Sequence, residues 1–384
     1  MKRWFEKAER FSLPVGGACV ILCVLLGCIP RWRGDFFNAW EFGWIFWLQV
    51  SLGSMALAMT HVLTGGGWGA ITRPIFLSAA RVLPLLAVLF VPILFGLSTL
   101  FPWARADEVA HDAVLRHAHA YLNPVFFIVR FLIYFTVWSG LVWLLTHSSD
   151  ERVLQRVSAA GLVFYVFLMS FAGVDWIMSR QPHWVSSVLG FVIVVSQALT
   201  AICFTLLVLH TRMDRPAISG FATPKHFRDL GNLVLMFVIL WAYMNFAQYL
   251  ITWTGNEQKD IPWYVQRSYG GWRVVAGILI FIHFVVPMFP LLMRPLKENL
   301  SRLCAICGAL LILRILDVYW TLGPLRQGDP HGGFVKSPLD VLAWLGIGGI
   351  WFTAFCRFLK NSPDLVLPLE NHGTWTVTTR PHSA

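Results

Sequence analysis

Charged residues are scarce in this chain of 384 residues, where Asp, Glu, Lys and Arg together make up only 13%. Soluble globular domains carry about 25% charged residues, so the composition argues against a soluble fold. Hydrophobic residues make up 57% of the chain, and its 19 Trp and 30 Phe suit membrane interfaces, where aromatic rings are enriched. We therefore predict a single polytopic membrane domain over residues 1–384.

Motifs that bind redox centres are also missing. The sequence has no C-x-x-C-H haem-attachment site and no ferredoxin-type cysteine cluster, and all seven Cys lie in apolar runs. Cys304 and Cys307 have the spacing of metal ligands, but no second ligand pair accompanies them. A b-type haem needs two His at matched depth, and we place only His283 at mid-membrane, with His61 and His210 at inner helix ends. We expect no haem, no Fe–S cluster and no metal in this chain.

Ten apolar runs approach the length of about 20 residues that a membrane-spanning helix needs. We expect an all-α integral membrane protein in which helices 2–5 (43–175) and helices 6–9 (184–322) form two four-helix bundles. Helices 1 and 10 would lie at the periphery. The first run lacks a small-residue cleavage site, so we interpret it as a retained helix and not as a signal peptide. The predicted spans are 12–29, 43–63, 84–101, 124–146, 157–175, 184–210, 230–252, 271–292, 303–322 and 339–358.

Basic residues are unevenly distributed between the two sides of the membrane. The net charge of +10 lies mainly in the connections, and no soluble basic domain is present to bind nucleic acid. Of the 30 Lys and Arg residues, 18 lie on the N-terminal side of the membrane and nine on the opposite side. By the positive-inside rule both termini, including the tail 361–384, face the cytoplasm, with anionic lipid beside the basic segments. The long connections 102–123, 253–270 and 323–338 then lie outside, where we expect chemistry or partner docking.

Polar side chains inside the predicted spans are the candidates for function, because such groups are costly in a membrane. With this orientation, most of them lie in the outer halves of five helices, at a common depth that scattered structural residues would not need to share. Asp175, in the stretch FAGVDWIMSRQPHW, ends helix 5 near water, and His283 lies at mid-membrane in helix 8. The candidates are Gln49, Arg130, Tyr134, Asp175, Gln248, His283, Arg314, Asp317 and Tyr319.

Each candidate also has a structural interpretation. Arg314 and Asp317 are three residues apart on one helix face, so they can neutralise each other. Gln49 and the other amides can link neighbouring helices, which is their commoner use in membranes. Asp175 can be a helix-end residue wetted by lipid headgroups, and His283 a hydrogen-bonded core residue. The residues by themselves leave these interpretations open.

Several long stretches resemble the NrfD/polysulfide-reductase membrane subunits, and in particular those of the bacterial alternative complex III. The resemblance covers helices 4–10, and it implies ten spans with the middle eight in two four-helix bundles. The stretches are YLNPVFFIVRFLIYFTVW (121–138), VDWIMSRQPHWVSS (174–187), FAQYLITWTGNEQKDIPWYVQRSYGGW (246–272), HFVVPMFPLLMRPLKENLSRL (283–303), RILDVYW (314–320) and PLDVLAWLGIGGIWFTAFCRFLK (338–360).

The same resemblance implies a bacterial inner-membrane complex that oxidises menaquinol or ubiquinol and passes electrons to cytochrome c or to a terminal oxidase. Its other members would be a multihaem cytochrome c, an Fe–S/molybdopterin-like protein without molybdenum cofactor, a longer NrfD-like sibling and small membrane subunits. The quinol-binding sibling pairs a His with an acidic residue near the outer surface. Asp175 resembles the acidic residue, but helix 4 carries Arg130 and Tyr134 and no His in its outer part.

The predicted function is therefore that of a membrane subunit in a quinol-oxidising complex. Quinol oxidation releases protons and needs a nearby acceptor. We predict Asp175 as that catalytic acceptor and His283 as an inward extension of the proton path, with the other candidates along the quinone or proton path. Two alternatives stay open. One is a structural anchor without its own quinone site, and the other is a secondary transporter, whose polar sites often lie on broken helices.

Overall fold

Long apolar runs become helices here because a helix satisfies its own backbone hydrogen bonds, as a membrane requires. The computed structural model describes residues 2–256, 258, 260–326, 337–368 and 375–377. Within these residues, ten helices are long and apolar enough to cross a membrane. The chain is thus an all-α, multi-pass integral membrane protein, which confirms the predicted fold class.

Eight of these ten spans are continuous helices, and two are built from shorter segments. The continuous ones are helix 1 (Lys2–Gly27), helix 2 (Arg33–Thr64), helix 4 (Pro124–His147), helix 5 (Glu151–Trp176), helix 6 (Leu189–Arg212), helix 7 (Pro224–Gly255), helix 9 (Leu300–Leu322) and helix 10 (Leu339–Lys360). Helix 3 consists of Gly67–Ala80, Leu83–Val88, Val91–Phe95 and Leu97–Leu100, and helix 8 of Gly270–Ile278, the π-helical segment Leu279–Val285 and Val286–Leu292.

The first three helices begin earlier than predicted. Helix 2 begins at Arg33 and not at residue 43, because the polar residues Asp35, Asn38 and Glu41 interrupt its apolar pattern without ending the helix. Helix 3 begins at Gly67 and not at residue 84, and helix 1 already includes Lys2. The late start predicted for helix 2 has a consequence for function, because it placed Glu41 in a loop.

Proline stands at two of the three breaks in helix 3 and beside the irregular segment of helix 8. Pro84 and Pro92 each stand at the second residue of a new segment of helix 3. Proline lacks the backbone N–H and its ring clashes with the carbonyl four residues earlier, so a regular helix cannot continue through it. In helix 8, Pro287 comes two residues after the π-helical segment and cannot donate to the carbonyl of His283. The irregular backbone therefore includes a predicted functional residue, His283.

The ten helices form two four-helix bundles and a peripheral pair. Helices 2–5 pack in a ring, helices 6–9 pack in a second ring, and helices 2 and 6 join the two rings. In the most apolar windows of helices 2 and 6, 94% and 83% of the residues are buried, so these two helices form the centre of the protein. Gly53 allows them to approach, since a Cβ there would fall 2.0 Å from the carbonyl oxygen of Gln197. Helices 1 and 10 pair with each other and lie against helix 2.

The two ends of the bundles differ in their connections. We call the end where helix 2 begins the long-loop end, and the end where helix 10 finishes the short-loop end. Residues 257, 259, 327–336, 369–374 and 378–384 of the predicted outer loops and tail lie outside the described residues. Among the described residues, the long-loop end carries seven short helical segments: Pro30–Trp32, Pro102–Ala104, Ala106–His111, Ala113–Ala118, Met178–Arg180, Ile261–Gln266 and Gly323–Leu325. The short-loop end carries the short helices Pro216–Phe221 and Arg294–Lys297 and the antiparallel strands Val366–Pro368 and Trp375–Val377.

An aromatic stack closes the long-loop end over the second bundle. The Trp184 and Trp263 rings lie parallel with centroids 3.6 Å apart, and Arg267 Cζ lies 3.3 Å from the Trp263 ring centroid. The Arg267 guanidinium donates to the carbonyl oxygens of Trp263, Trp320 and Thr321 at 2.8, 3.2 and 2.6 Å. Burial lowers the pKa of Arg267 well below its usual value. This arginine holds the connection before helix 8 onto the end of helix 9.

Candidate functional site

Helices 4 and 5 bring three predicted residues together near the long-loop end. Arg130 donates from Nε to Asp175 Oδ2 at 2.9 Å and from Nη2 to Asp175 Oδ1 at 2.7 Å. Tyr134, one turn along helix 4 and therefore on the same face, donates from its hydroxyl to Asp175 Oδ2 at 2.8 Å. The remaining Arg130 nitrogen, Nη1, donates to the carbonyl oxygen of Tyr121 at 2.7 Å. The result is a forked, charge-assisted pair with strong directional preference.

Asp175 lies deeper than the sequence suggested. We expected it at a helix end near water, but it is only 1% exposed, and Arg130 is 6% exposed. The reason is that the chain does not leave the bundle after helix 5. The turn Met178–Arg180 that follows is itself buried, and Ser179 Oγ donates to the Asp175 carbonyl oxygen at 2.6 Å. The expectation of a wetted helix end is therefore wrong, and the proposed proton-accepting role of Asp175 stays a prediction.

Aromatic rings cover the Arg130 guanidinium group. Its Cζ lies 3.8 Å from the ring centroid of Tyr121 and 4.5 Å from that of Phe126, within cation–π range. Burial first, and the negative charge of Asp175 second, raise the pKa of Tyr121 to about 12. The Tyr121 hydroxyl therefore stays protonated at physiological pH, and its ring adds apolar cover to the ion pair.

A second ionic network, which we did not predict, lies where helices 2, 5, 9 and 10 meet. Arg180 donates from Nη1 to Glu41 Oε2 and from Nη2 to Asn38 Oδ1, the latter at 2.5 Å. Arg326 donates from Nη2 to Asp340 Oδ1, and its positive charge also acts on Glu41. We call Glu41, Arg180, Arg326 and Asp340 the four-charge cluster. None of the four is more than 7% exposed.

The sequence held one signal for this cluster. Asp35, Asn38 and Glu41 follow one another at intervals of three residues, which makes each a neighbour of the next on a helix surface. A polar ridge of this kind on an otherwise aromatic helix indicates a polar partner. The partner itself was not predictable, because Arg180 lies 139 residues away along the chain.

Gln49, Arg314 and Asp317 meet in the interface between helices 2, 6 and 9. Arg314 Nη1 lies 2.7 Å from Asp317 Oδ2, so the two residues form the expected pair on one helix face. Arg314 also donates to Thr200 Oγ1 at 3.2 Å and to Gln49 Oε1 at 3.4 Å. Thr200, which we did not predict, donates to Gln49 Oε1 at 3.2 Å. The fully buried Arg314 thus connects both bundles.

His283 lies in the π-helical segment of helix 8 and is fully buried. Among the described residues, neither Nδ1 nor Nε2 has a hydrogen-bond partner, and the Trp241 ring meets the imidazole edge-on at 4.2 Å. The interpretation of His283 as a hydrogen-bonded core residue is therefore wrong for this structure. Buried polar atoms without partners are rare, and π-helical segments are frequent at functional sites. Both observations keep His283 among the candidates.

The last two predicted residues lie beside these networks. Tyr319 packs edge-on against Phe42 at 5.6 Å and stacks with Trp272 at 5.2 Å, while Arg326 Cζ lies 5.7 Å from its ring centroid. Tyr319 therefore adjoins the four-charge cluster. Gln248 accepts a hydrogen bond from Ser186 Oγ, which links helix 7 to the start of helix 6. This contact matches the interpretation of Gln248 as an interhelical link.

His61 and the cysteines, unlike His283, lie in ordinary core contacts. In the part of the chain that the structure describes, no group of three or more His, Cys, Asp or Glu side chains is arranged to hold a metal. His61 Nε2 hydrogen-bonds to the Gly66 carbonyl oxygen at 3.1 Å. Cys304 and Cys307 are buried free thiols, and Cys304 Sγ donates to the Leu206 carbonyl oxygen at 3.2 Å. These contacts are those of packed core residues.

No protein-family model matches the chain, and no curated protein matches it. The resemblance of the long motifs to NrfD-like subunits therefore stays a sequence-based prediction.

Proposed function

We propose that this chain is a membrane subunit of a quinol-oxidising respiratory complex of the alternative complex III type, in a bacterial inner membrane. It would contribute to quinol oxidation, to proton transfer, or to both, near the periplasmic face. The observation that carries this proposal is the burial of four arginine–carboxylate pairs in the long-loop half of the two bundles. The pairs are Arg130–Asp175, Arg180–Glu41, Arg314–Asp317 and Arg326–Asp340.

Burial of such pairs is poorly explained by stability. Removing two charges from water costs several kcal/mol per ion, and well-packed apolar residues at the same place are often at least as stable. Ionisable groups inside membrane proteins instead mark ion or proton pathways by default. Four buried pairs at one end therefore favour a role in proton transfer on that side of the membrane over the role of a purely structural anchor.

The resemblance supplies the reaction that would use this machinery. Quinol oxidation releases two protons together with two electrons, and NrfD-like subunits belong to complexes that catalyse it. This chain would bind menaquinol or ubiquinol or relay its protons, while the electrons pass to a multihaem cytochrome c and an Fe–S/molybdopterin-like partner. The longer NrfD-like sibling and small membrane subunits would complete the assembly, which delivers electrons to cytochrome c or a terminal oxidase.

The geometry suggests different roles for the predicted residues. Asp175 has donors on both carboxylate oxygens, which favours a positioning role for Arg130 and Tyr134. His283, with both ring nitrogens lacking partners among the described residues, is better placed to exchange a proton through water. Tyr319 adjoins the four-charge cluster at the same end.

Purification of the tagged chain from its native membranes tests the proposal. We expect c-type haem to co-purify, and quinol to reduce that haem in the purified complex. Glu298→Gln is a suitable control variant, since Glu298 forms a partly exposed pair with Arg294 at the short-loop end and should leave activity unchanged. A chain that purifies alone, without haem and without quinol-dependent haem reduction, would overturn the proposal.

A secondary transporter is the second candidate, because helix 8 is broken at His283 and broken helices carry midplane sites in many transporters. Reconstitution of the chain alone into lipid vesicles separates the two. Proton-coupled solute uptake by the isolated chain would favour the transporter, whereas a haem-containing complex with quinol activity would exclude it.

A further inference from the structure

The four-charge cluster contains two incompletely bonded carboxylates. Glu41 Oε2 accepts from Arg180 and Asp340 Oδ1 accepts from Arg326. The other two oxygens, Glu41 Oε1 and Asp340 Oδ2, are buried and have no donor among the described residues. Two guanidinium nitrogens of the same cluster, Arg180 Nε and Arg326 Nη1, also lack acceptors there. A buried network with bare polar atoms is unusual in native proteins and calls for a functional explanation.

Asp175 provides an internal comparison at the same end of the same bundle. It is 1% exposed, as is Glu41, and it also pairs with a buried arginine. Both of its oxygens have donors, however: one from Arg130 on Oδ1, and one each from Arg130 and Tyr134 on Oδ2. Protonation of Asp175 would weaken three charge-assisted hydrogen bonds. Protonation of Glu41 on Oε1 would weaken only the bond from Arg180.

Of the two carboxylates with an unbonded oxygen, Glu41 is the more deeply buried. Its side chain is 2% exposed, against 8% for Asp340. A buried oxygen without a donor makes the ionised form costly, and the cost grows as water is excluded. Asp340 instead lines a cavity of about 390 Å³ between helices 9 and 10, together with Val341 and Trp344.

A polar ridge leads from Glu41 to the surface. Asn38 and Asp35 precede Glu41 by three and six residues on helix 2, so each neighbours the next. Arg180 bridges the first step, because it donates to both Glu41 and Asn38. Asp35, unlike the other two, is partly exposed, and it lies at the long-loop end of the helix. Polar side chains thus lie at successive positions of helix 2 between the buried carboxyl group and the long-loop end.

We propose that Glu41 is the proton-carrying residue of this chain, taking up a proton on Oε1 and exchanging it with the long-loop surface along Asn38 and Asp35. The groups that face it are Arg180 and Arg326, with Asp340 beyond Arg326. The step forms and breaks one O–H bond and moves no electrons. That the proton comes from quinol rests on the proposed function. That Glu41 takes up and releases a proton does not depend on it.

Carbodiimide labelling of the wild-type protein tests the proton directly. Dicyclohexylcarbodiimide is apolar and adds to protonated carboxyl groups in the membrane phase. We expect the purified complex in lipid nanodiscs to be labelled at Glu41 and not at Asp175, as located by peptide mass spectrometry. Well above the pH of half-protonation, labelling at Glu41 should fall about tenfold for each further pH unit. Label on Asp175 or Asp340 in place of Glu41, or a Glu41 label that is independent of pH, would overturn the proposal.

Glu41→Gln tests the use of that proton. The amide keeps the size and still accepts a bond from Arg180, but it cannot carry the proton. We expect quinol-driven proton release, followed with a pH indicator, to slow by about 10²-fold or more, the lower range for a lost proton-transfer group. Glu298→Gln, at a partly exposed carboxylate of the short-loop end that pairs with Arg228 and Arg294, is the control and should keep the wild-type rate. Co-purified haem c measures assembly of the Gln variant, and Glu41→Asp, which retains a carboxyl group, should recover part of the rate. A Glu41→Gln complex that assembles normally and keeps the wild-type rate would overturn the use of that proton.

The two proposals fail in distinguishable ways. Labelling at Glu41 in a protein without quinol activity would leave Glu41 as a proton-binding residue and remove the quinol-oxidising function. Quinol activity in the wild type together with an unlabelled Glu41 and a wild-type rate in an assembled Glu41→Gln complex would remove the role of Glu41 alone.

Discussion

Replacement of Asp175 by Asn should destabilise the protein strongly, because it leaves a buried cation without a counter-charge. The side chains of Arg130 and Asp175 are 7% and 1% exposed, so solvent screening is slight. Breaking a buried pair from one side costs about 3–5 kcal/mol. At about 2 °C per kcal/mol for a chain of this size, the melting temperature in detergent should fall by roughly 6–10 °C. Arg130→Gln should have a similar effect, since it leaves the carboxylate unpaired.

The double variant Arg130→Gln/Asp175→Asn distinguishes pairing from general disruption. It removes both charges and keeps hydrogen-bonding groups beside Tyr134, so most of the lost stability should return. The matched control is Asp112→Asn, which breaks a pair whose His183 side chain is 57% exposed and should cost about 1 kcal/mol or less. Single variants with the melting temperature of the wild type would contradict the burial of Arg130 and Asp175. A double variant that loses as much stability as the two single variants together would show that the two residues are not partners.

Three further outcomes follow from other parts of the chain. Arg314→Leu and Asp317→Leu should each assemble poorly and the double variant should recover in part, as judged by the yield of monodisperse protein; a double variant worse than either single would refute their coupling. Burial tends to raise the pKa of Asp364, but hydrogen bonds and charge from Arg215 outweigh it and lower that pKa. The contribution of Asp364 to stability is therefore complete above about pH 4, its unfolded value, and is lost as the pH falls further; melting curves of Asp364→Asn should lack this part of the acid dependence. A reporter fused after Lys360 should behave as cytoplasmic, and a periplasmic signal would reverse the proposed orientation.

The positions of most helices could be predicted from the sequence because membrane spans are set by a local property. A run of apolar residues long enough to cross the bilayer leaves few alternatives to a helix. The span predicted at 124–146 is the helix Pro124–His147, and the one at 339–358 is Leu339–Lys360. The rule fails where polar residues enter a helix for tertiary reasons, as Asn38 and Glu41 do in helix 2.

Side-chain pairing in the candidate site was only partly predictable. The Arg314–Asp317 pair lies within one helix turn, so sequence spacing alone indicates it. Arg130 and Asp175 were both candidates, but they are 45 residues apart and nothing local shows that the second carboxylate oxygen is bonded as well. Glu41 was missed altogether, since its partner Arg180 belongs to a turn that only the folded bundle brings to helix 2. The sequence shows which polar residues lie inside the membrane spans. Only the tertiary structure shows which of their atoms lack a hydrogen-bond partner among the described residues.

The pairing of helices 1 and 10 constrains how this protein is made. Helix 1 packs chiefly on helix 10, and the two backbones touch where a Cβ on Gly16 would fall 2.8 Å from Gly349 Cα. Ser12 and Thr353 share a hydrogen bond of 2.8 Å along the same seam. A ribosome synthesises helix 1 first, so that helix enters the bilayer more than 300 residues before its main partner exists. Its packing is completed only after residue 360 has been made, so truncation of helix 10 would also leave helix 1 without its main packing partner.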